Sequence, residues 1–260
     1  MDDILSEGEC LYCNEKFPQA SIFRHLQKHL AEKSKENKPG KSFLLKVGTN
    51  PKWSKSLYFL ALWIDGDALI DDIDYFLRGI WLECCGHMSA FTNPKNKHKG
   101  GGWNFMESQE LLMKNKIDEY EKMMEDENGE IAKFRKAKEV LSKGMKIDYE
   151  YDFGSTTDLQ LAILQEYPVK ADKEIVLLSR NEPLEIRCDL CKKEPAEVLC
   201  MACAYDDESY FCKKCAKKHA KTCDDFDDYS SMPVVNSPRV GVCGYTGGRI
   251  DKKRDGVWKK

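Results

Sequence analysis

Residues 147–163, IDYEYDFGSTTDLQLAI, contain the clearest strand pattern of the chain. Apolar side chains alternate with acidic ones up to Phe153, and the alternation resumes at Leu159 after the turn residues 154–157. A period of two places every apolar side chain of a strand on the same face of a sheet. The stretch therefore predicts a β-hairpin that buries Tyr149, Tyr151 and Phe153.

The segments that precede this hairpin predict the rest of a folded core. Residues 56–64, SLYFLALWI, form a continuous apolar run that favours a buried strand. Residues 69–83 carry apolar side chains at helical spacing, which indicates an amphipathic helix packed on the sheet. Strands and helices of this kind predict the α+β class, a compact mixed core flanked by small zinc-stabilised modules.

Three stretches of this core resemble a known family. LYFLALWI, IWLECCGHMSAF and above all YEYDFGSTTDLQL are similar to the Ri-plasmid pRiA4b open-reading-frame-three-like family, also called MM-3350-like. The resemblance covers roughly residues 55–180 and implies a compact α+β domain. It implies no established activity. The family's usual core has neither of the cysteine-containing modules described next.

The segment from Cys188 to Cys223 holds seven of the twelve cysteines of the chain. Two thiolates separated by two residues can bind one tetrahedral ion, and this segment has three such C-x2-C pairs. With one histidine and a last cysteine it offers eight ligands for two closed, structural zinc sites. These ligands are Cys188, Cys191, Cys200, Cys203, Cys212, Cys215, His219 and Cys223.

The spacing of the last three ligands predicts how the eight are divided. On a helix, Cys215 and Cys223 would be about 12 Å apart, too far to bind the same ion. An interleaved, cross-brace arrangement similar to B-box-type modules follows. One ion would be bound by Cys188, Cys191, Cys212 and Cys215, and the other by Cys200, Cys203, His219 and Cys223.

Residues 10–29 match the two-cysteine, two-histidine zinc finger pattern. Cys10 and Cys13 precede His25 and His29, and the histidines share one helical face. We therefore expect about three zinc ions in the whole chain.

The domain boundaries follow from these patterns. We expect a zinc finger at residues 1–31, a basic linker at 32–54 and the α+β core at 55–186. The two-zinc cross-brace module follows at 187–225, and a Gly-rich, basic tail at 226–260. The last part of this tail, residues 247–260, is expected to be disordered or to dock onto an acidic or nucleic-acid partner.

Charge is unevenly distributed along the chain. Residues 1–55 have a net charge of +3, residues 56–187 of −8 and residues 188–260 of +2. The acidic middle argues against a core that wraps nucleic acid, whereas the basic ends allow contacts with phosphate. Candidate nucleic-acid contacts are Arg24, Lys252, Lys253 and Arg254.

Two functional hypotheses remain open. The first is a non-catalytic zinc protein that binds nucleic acid or another protein, without a small-molecule substrate. The second is an enzyme with its site in the core around His87 and Asp152, which would also use Ser155, Thr156, and Cys84 or Cys85 as a nucleophile. The sequence favours the first hypothesis, the binding protein, because no general base lies beside a nucleophile at a recognised spacing. His87 is expected to be a hydrogen-bonded core residue.

The twelfth cysteine, Cys243, has three open interpretations: a ligand in place of Cys223, a buried thiol or a reactive thiol. The cysteine content is below that of secreted disulfide scaffolds, and the N-terminus lacks the features of a signal peptide. No apolar segment is long enough to span a membrane. These features predict a cytoplasmic protein with reduced thiols and no membrane contact.

Overall fold

The computed structural model describes residues 6–35, 38–53, 57–95, 105–204 and 208–259. Within these residues, eleven strands lie in three antiparallel sheets, which confirms the predicted α+β class. The strands are β1 Glu7–Glu9, β2 Lys16–Pro18, β3 Pro39–Thr49, β4 Phe59–Asp65, β5 Ser89–Thr92, β6 Lys146–Tyr151, β7 Thr157–Val169, β8 Ile175–Arg180, β9 Val198–Cys200, β10 Tyr210–Phe211 and β11 Ser231–Pro233. The α-helices are α1 Gln19–Lys33, α2 Ile70–Leu77, α3 Phe105–Met113, α4 Ile117–Asn128, α5 Ala137–Val140 and α6 Lys213–His219. A π-helical turn, Arg78–Leu82, extends α2, and another spans Phe226–Ser230.

Six strands form the central sheet in the order β5-β6-β7-β3-β4-β8. The strand β4 is apolar from Phe59 to Ile64 because both faces of the sheet are covered, and only its last residue, Asp65, is polar. Its alternate residues Leu60, Leu62 and Ile64 belong to one core cluster with α2, whereas Phe59, Ala61 and Trp63 belong to a second cluster with α1. A strand buried on both faces needs apolar side chains at every position.

The segment expected to be a linker, residues 32–54, instead contains a central strand. β3 is hydrogen-bonded to β4 on one side and to β7 on the other, so the linker prediction was wrong for residues 39–49. The apolar stretch of this strand, FLLKV, is short, and the polar residues on either side of it made the whole segment resemble a linker. Lys46, inside the strand, lies over the ring of Phe23, with its Nζ atom 5.5 Å from the ring centroid.

The predicted hairpin is present as β6 and β7, with Tyr149 opposite Leu159 and Tyr151 opposite Thr157. Tyr149 and Tyr151 are buried, but Phe153 is 53% exposed, so its predicted inward orientation was wrong. The reason is the backbone of Asp152, which takes a φ of 65° directly after β6 ends. The left-handed residue ends the alternation before Phe153.

The C-terminal segment, residues 234–258, packs against the core, so the disorder expected for residues 247–260 was wrong for the part of that tail that the structure describes. Its backbone amides at 249 and 250 both donate to the carbonyl of Gly79, at 2.6 and 3.0 Å. Asn236 is hydrogen-bonded to Asn181, and Asp255 accepts a 2.6 Å hydrogen bond from the buried Arg180. These contacts hold the segment against the end of α2 and the edge strand β8.

Candidate metal centres

Four clusters of cysteine and histidine occur in the described part of the chain, where the sequence predicted three sites. In each cluster the four potential ligand atoms lie within 4.8 Å of one another. The finger cluster contains Cys10, Cys13, His25 and His29, and the core cluster contains Cys84, Cys85, His87 and Cys243. The first cross-brace cluster contains Cys188, Cys191, Cys212 and Cys215, and the second contains Cys200, Cys203, His219 and Cys223.

The finger cluster lies between the β1–β2 hairpin and α1. The Nε2 atom of His25 is 3.3 Å from Sγ of Cys13 and 3.0 Å from Nε2 of His29. Asn14, directly after the second cysteine, has a φ of 60°, which turns the chain back toward α1. Burial, with a smaller effect from His29, lowers the pKa of His25, so its imidazole is neutral and able to bind a metal.

The finger is part of the main fold and not a separate appendage. The buried side chains of α1, among them Ile22 and Leu26, pack on the central sheet. The strand β1 meets β8 through a bridge between Gly8 and Asn181, where a Cβ atom on Gly8 would lie 2.7 Å from the ring of Phe59. A metal ion in this cluster would therefore fix the helix that covers one face of the sheet.

The two cross-brace clusters share α6 and the residues at its ends. Cys212 and Cys215 at its beginning belong to the first cluster, whereas His219 at its end and Cys223 beyond it belong to the second. This division is the interleaved pairing that the spacing predicts. The ring of His219 stacks on Phe211 with the centroids 4.3 Å apart.

Two thiol groups of the first cross-brace cluster have pKa values shifted in opposite directions. Backbone N–H groups of Glu194 and Lys193 lower the pKa of Cys191 to about 6, which favours the thiolate that binds metal. Burial and the thiols of Cys212 and Cys188 raise the pKa of Cys215 to about 12. A cation at the centre would favour the ionised form of every member of such a cluster.

The distances between donor atoms fit a tetrahedral zinc ion. Zn–S bonds of about 2.3 Å imply sulfur atoms about 3.8 Å apart, and mixed S/N pairs are slightly closer. The Sγ atom of Cys223 is 3.9 Å from Cys200 and 4.0 Å from Cys203, whose Sγ is 3.7 Å from Nε2 of His219. Thiolate and imidazole donors in fours are the composition of structural zinc sites.

Sequence reasoning missed the core cluster. Cys84, Cys85 and His87 follow the π-helical turn, and Cys243 reaches them from the C-terminal segment. The Sγ atom of Cys85 is 3.8 Å from Cys243 and 2.9 Å from Nε2 of His87. None of the three interpretations of Cys243 described this arrangement, and His87 is not an ordinary core residue. The stretch CCGH, residues 84–87, with three potential ligands in four residues, was the available signal.

The pair proposed for catalysis, His87 and Asp152, is brought together but is already engaged. Nε2 of His87 is 3.4 Å from Oδ2 of Asp152, and the same oxygen accepts a 2.7 Å hydrogen bond from the buried Arg239. The guanidinium, together with the N–H groups of Ser155 and Gly154, lowers the pKa of Asp152 to about 2. Thr156 is exposed in the turn. The carboxylate is thus an ion-pair partner in this structure.

The thiols of the core cluster influence one another. Burial opposes ionisation of Cys84, but hydrogen bonds from Arg239 and Cys85 outweigh it and lower the pKa of the Cys84 thiol. The adjacent Cys84 raises the pKa of Cys85 to about 12, since two neighbouring thiols resist a second negative charge.

A cavity of about 340 Å³ lies elsewhere, between β5 and the segment 130–134. Its wall includes Ser89 and Lys133, which both bind the buried Asp74 at 2.7 and 3.0 Å. Asp74 also accepts hydrogen bonds from Tyr149 and Arg78. The Asp74 carboxylate is therefore the centre of a buried ion-pair network.

The candidate nucleic-acid residues occupy different environments. Arg24 is exposed on α1, and Lys252 and Lys253 are exposed in a 3-10 turn. Arg254 is only 5% exposed and forms ion pairs with Glu9, Glu182 and Asp251. Its guanidinium is occupied within the fold, so Arg254 was a wrong choice for a phosphate contact.

Comparisons with known proteins give little further guidance. No protein-family profile matches the sequence, and no curated protein is detectably similar to it. One solved structure, that of a protein of unknown function, MM3350, from Methanosarcina mazei Go1, matches with 13% sequence identity and a TM-score of 0.34. The match covers 54% of this chain and 67% of that one. Within the described residues, no helix has the length and apolar character needed to cross a membrane.

Proposed function

We propose that this protein is a zinc-stabilised binding protein whose cross-brace module contacts the phosphate backbone of a nucleic acid. The finger and cross-brace clusters each supply four protein donors, and at least one cysteine in each is fully buried. Four protein ligands leave a zinc ion no open position for a substrate, which is the arrangement of structural sites. Zinc in these clusters would stabilise the surfaces around them.

The observation that carries the proposal is the lysine face of α6. It consists of five exposed lysines on the outside of the helix and just after it: Lys213, Lys214, Lys217, Lys218 and Lys221. Ligands at both ends of the helix fix its orientation. Lys213 pairs with Glu197 at 2.9 Å, and in the part of the chain that the structure describes the other four form no ion pair.

The charge around this face favours an extended anion over a single acidic group. Lysines at positions 214, 217, 218 and 221 recur at helical spacing and form a continuous positive strip. Asp224 and Asp225 follow the helix and are exposed. They would repel phosphate groups on that side and so help to orient the bound nucleic acid. Arg24 and Lys252 are proposed as secondary contacts, because both are exposed.

Salt-dependent binding of the full-length, zinc-loaded protein to labelled duplex DNA and single-stranded RNA tests the proposal. Affinity should fall as salt rises, with a logarithmic slope of about −0.9 per phosphate contact on duplex DNA and about −0.7 on single strands. The double variant Lys217→Gln/Lys218→Gln should make the slope shallower by about the amount that two phosphate contacts contribute.

The matched control is Lys114→Gln/Lys116→Gln, which removes two exposed lysines that are paired with Glu110 and Glu119. It should leave the slope unchanged, and both variants should keep their zinc content. If neither DNA nor RNA binds at low ionic strength, the nucleic-acid proposal fails. Retention of an acidic protein on the same lysines would then assign the face to a protein partner.

The enzyme alternative rests on the 3.4 Å approach of His87 to Asp152. It has less support, because Arg239 occupies the carboxylate and His87 faces two thiols.

We also propose that residues 55–180 belong to the plasmid open-reading-frame-three-like family, on the strength of the YDFGSTT motif. A cytoplasmic location is proposed for the same reason as before, since twelve free cysteines suit a reducing compartment.

A further inference from the structure

We propose that the core cluster binds a fourth zinc ion and that this ion, unlike the other three, exchanges readily with solvent. The inference rests on the zinc chemistry proposed for the other clusters, but it concerns a separate set of residues. It assigns Cys84, Cys85, His87 and Cys243 as ligands.

Most distances within the core cluster are close to those of a tetrahedral zinc site, and only the 2.9 Å between Sγ of Cys85 and Nε2 of His87 is clearly shorter. The Sγ atoms of Cys84 and Cys85 are 3.6 Å apart, and that of Cys243 is 3.8 Å from Cys85. Nε2 of His87 is 3.2 Å from Sγ of Cys243. These values lie near the separations of about 3.8 Å for S/S pairs and about 3.5 Å for S/N pairs that Zn–S and Zn–N bond lengths imply.

The backbone around the cluster is shaped to bring the donors together. Cys243 and Gly244 have φ values of 48° and 67°, and the N–H of Tyr245 donates to the carbonyl of Val242 at 3.0 Å. Two successive positive φ values form a tight turn that is energetically costly for a cysteine. A bond from its thiolate to a metal would offset that cost. Gly86, with a φ of 77°, makes the matching turn between Cys85 and His87.

A buried cation completes the environment. The guanidinium of Arg239 is fully buried, and its Nη2 atom lies 3.5 Å from Sγ of Cys84. Three thiolates and one neutral imidazole around a divalent ion carry one net negative charge. A fixed donor beside one of the thiolates is the kind of second contact that orients metal ligands.

Exposure distinguishes this cluster from the others. Cys10, Cys188 and Cys200, one from each of the other clusters, are fully buried, whereas Cys85 and Cys243 are exposed and neither remaining ligand is buried. Water and competing chelators can therefore reach the sulfur atoms of the core cluster directly. Exchange at the other sites would first require local opening of the fold.

Native mass spectrometry and metal analysis of the full-length protein test the assignment. The wild type should hold four zinc ions, one for each cluster, and Cys243→Ser should hold three. The control Met88→Ser alters an exposed side chain beside His87 that is not a ligand, and it should keep four. Amide hydrogen exchange should show faster exchange at Val242 and Tyr245 in Cys243→Ser, because the turn loses its metal bond.

Isotopically enriched zinc added to the loaded wild type tests exchangeability. One ion should be replaced before the other three, and Cys243→Ser should lack this fast phase. The proposal is overturned if the wild type holds three ions while nucleic-acid binding persists, or if a disulfide between Cys85 and Cys243 removes two hydrogen atoms from the mass. Exchange of all four ions at one rate would also overturn it.

Discussion

Arg239 donates a 2.7 Å hydrogen bond to Asp152, joining two residues that are 87 positions apart in the sequence. The same guanidinium donates to Oγ1 of Thr157 at 2.9 Å and lies 4.7 Å from the ring centroid of Tyr151. The side chain of Arg239 is fully buried and comes from the C-terminal segment. The segment is thereby attached to the turn of the β6–β7 hairpin.

Replacing this arginine should release the C-terminal segment. In Arg239→Gln, Asp152 loses its charged partner, and a buried carboxylate without a countercharge is unfavourable. We expect a lower melting temperature and faster amide exchange at residues 237–250. Arg249→Gln, which changes an exposed arginine of the same segment, is the control. Equal melting temperatures for the two variants would contradict this role for Arg239.

Tyr151, the last residue of β6, and Phe153, two residues beyond it, should respond differently to truncation. Tyr151→Ala removes a fully buried ring and should cost about 3–5 kcal/mol in the free energy of unfolding, measured by denaturant titration. Phe153→Ala removes a half-exposed ring and should change it by less than about 1 kcal/mol. Similar losses in both variants would show that the strand continues past Asp152.

The helix of the finger should contribute to the stability of the whole fold. Leu26 is fully buried against the sheet, so Leu26→Ala should lower the free energy of unfolding by about 2–5 kcal/mol. Arg24→Ala, on the exposed face of the same helix, should change it by no more than about 0.5 kcal/mol. A Leu26 variant as stable as the wild type would mean that α1 is dispensable for the sheet.

Removal of zinc should destabilise the sheet and not only the small modules. Structural zinc contributes about 10–16 kcal/mol in finger peptides, and the finger cluster fixes the helix that covers Trp63. The indole Nε1 of Trp63 donates to Oγ of Ser42 inside the sheet at 2.8 Å. We expect a strong chelator to reduce the near-ultraviolet circular dichroism of the tryptophans. An unchanged spectrum after loss of all zinc would refute the coupling.

The network around Asp74 predicts a loss of stability in acid. Burial acts to raise the pKa of this carboxyl, but hydrogen bonds from Ser89 and Tyr149 and the charge of Lys133 outweigh it and lower the pKa below its ordinary value of 3.8. A carboxyl whose pKa is lower in the folded state stabilises the fold at pH values above the pKa of the same carboxyl in the unfolded chain. That contribution is lost as the pH falls below about 4 and through the folded pKa.

Asp74→Asn removes the charge and should flatten this dependence. The variant should be less stable than the wild type at pH 7, and the difference should shrink as the pH falls below about 4. Asp71→Asn, which changes a more exposed carboxylate in the same helix, is the control. Urea titrations at several pH values measure both. A constant difference between the Asp74 variant and the wild type would contradict the prediction.

The sequence by itself determined those features that depend on local spacing. Alternation identified the β6–β7 hairpin, and a continuous apolar run identified β4. The C-x2-C pairs and the rise of a helix were sufficient to predict the ligand groupings that the structure brings together in the finger and cross-brace clusters. These features could be read because each ligand pair or strand is defined by neighbours within a few residues.

Only the tertiary structure decided the features that depend on distant parts of the chain. β3 is a central strand because β4 and β7 bind both of its edges, although its own residues resemble a linker. The core cluster needs Cys243 to reach His87 across 156 positions, and no local spacing encodes that approach. Arg254 forms ion pairs with the carboxylates of Glu9, Glu182 and Asp251. Its charge is therefore neutralised inside the fold and is not available on the protein surface. Contacts between remote segments depend on how the whole chain packs, and a one-dimensional pattern does not contain them.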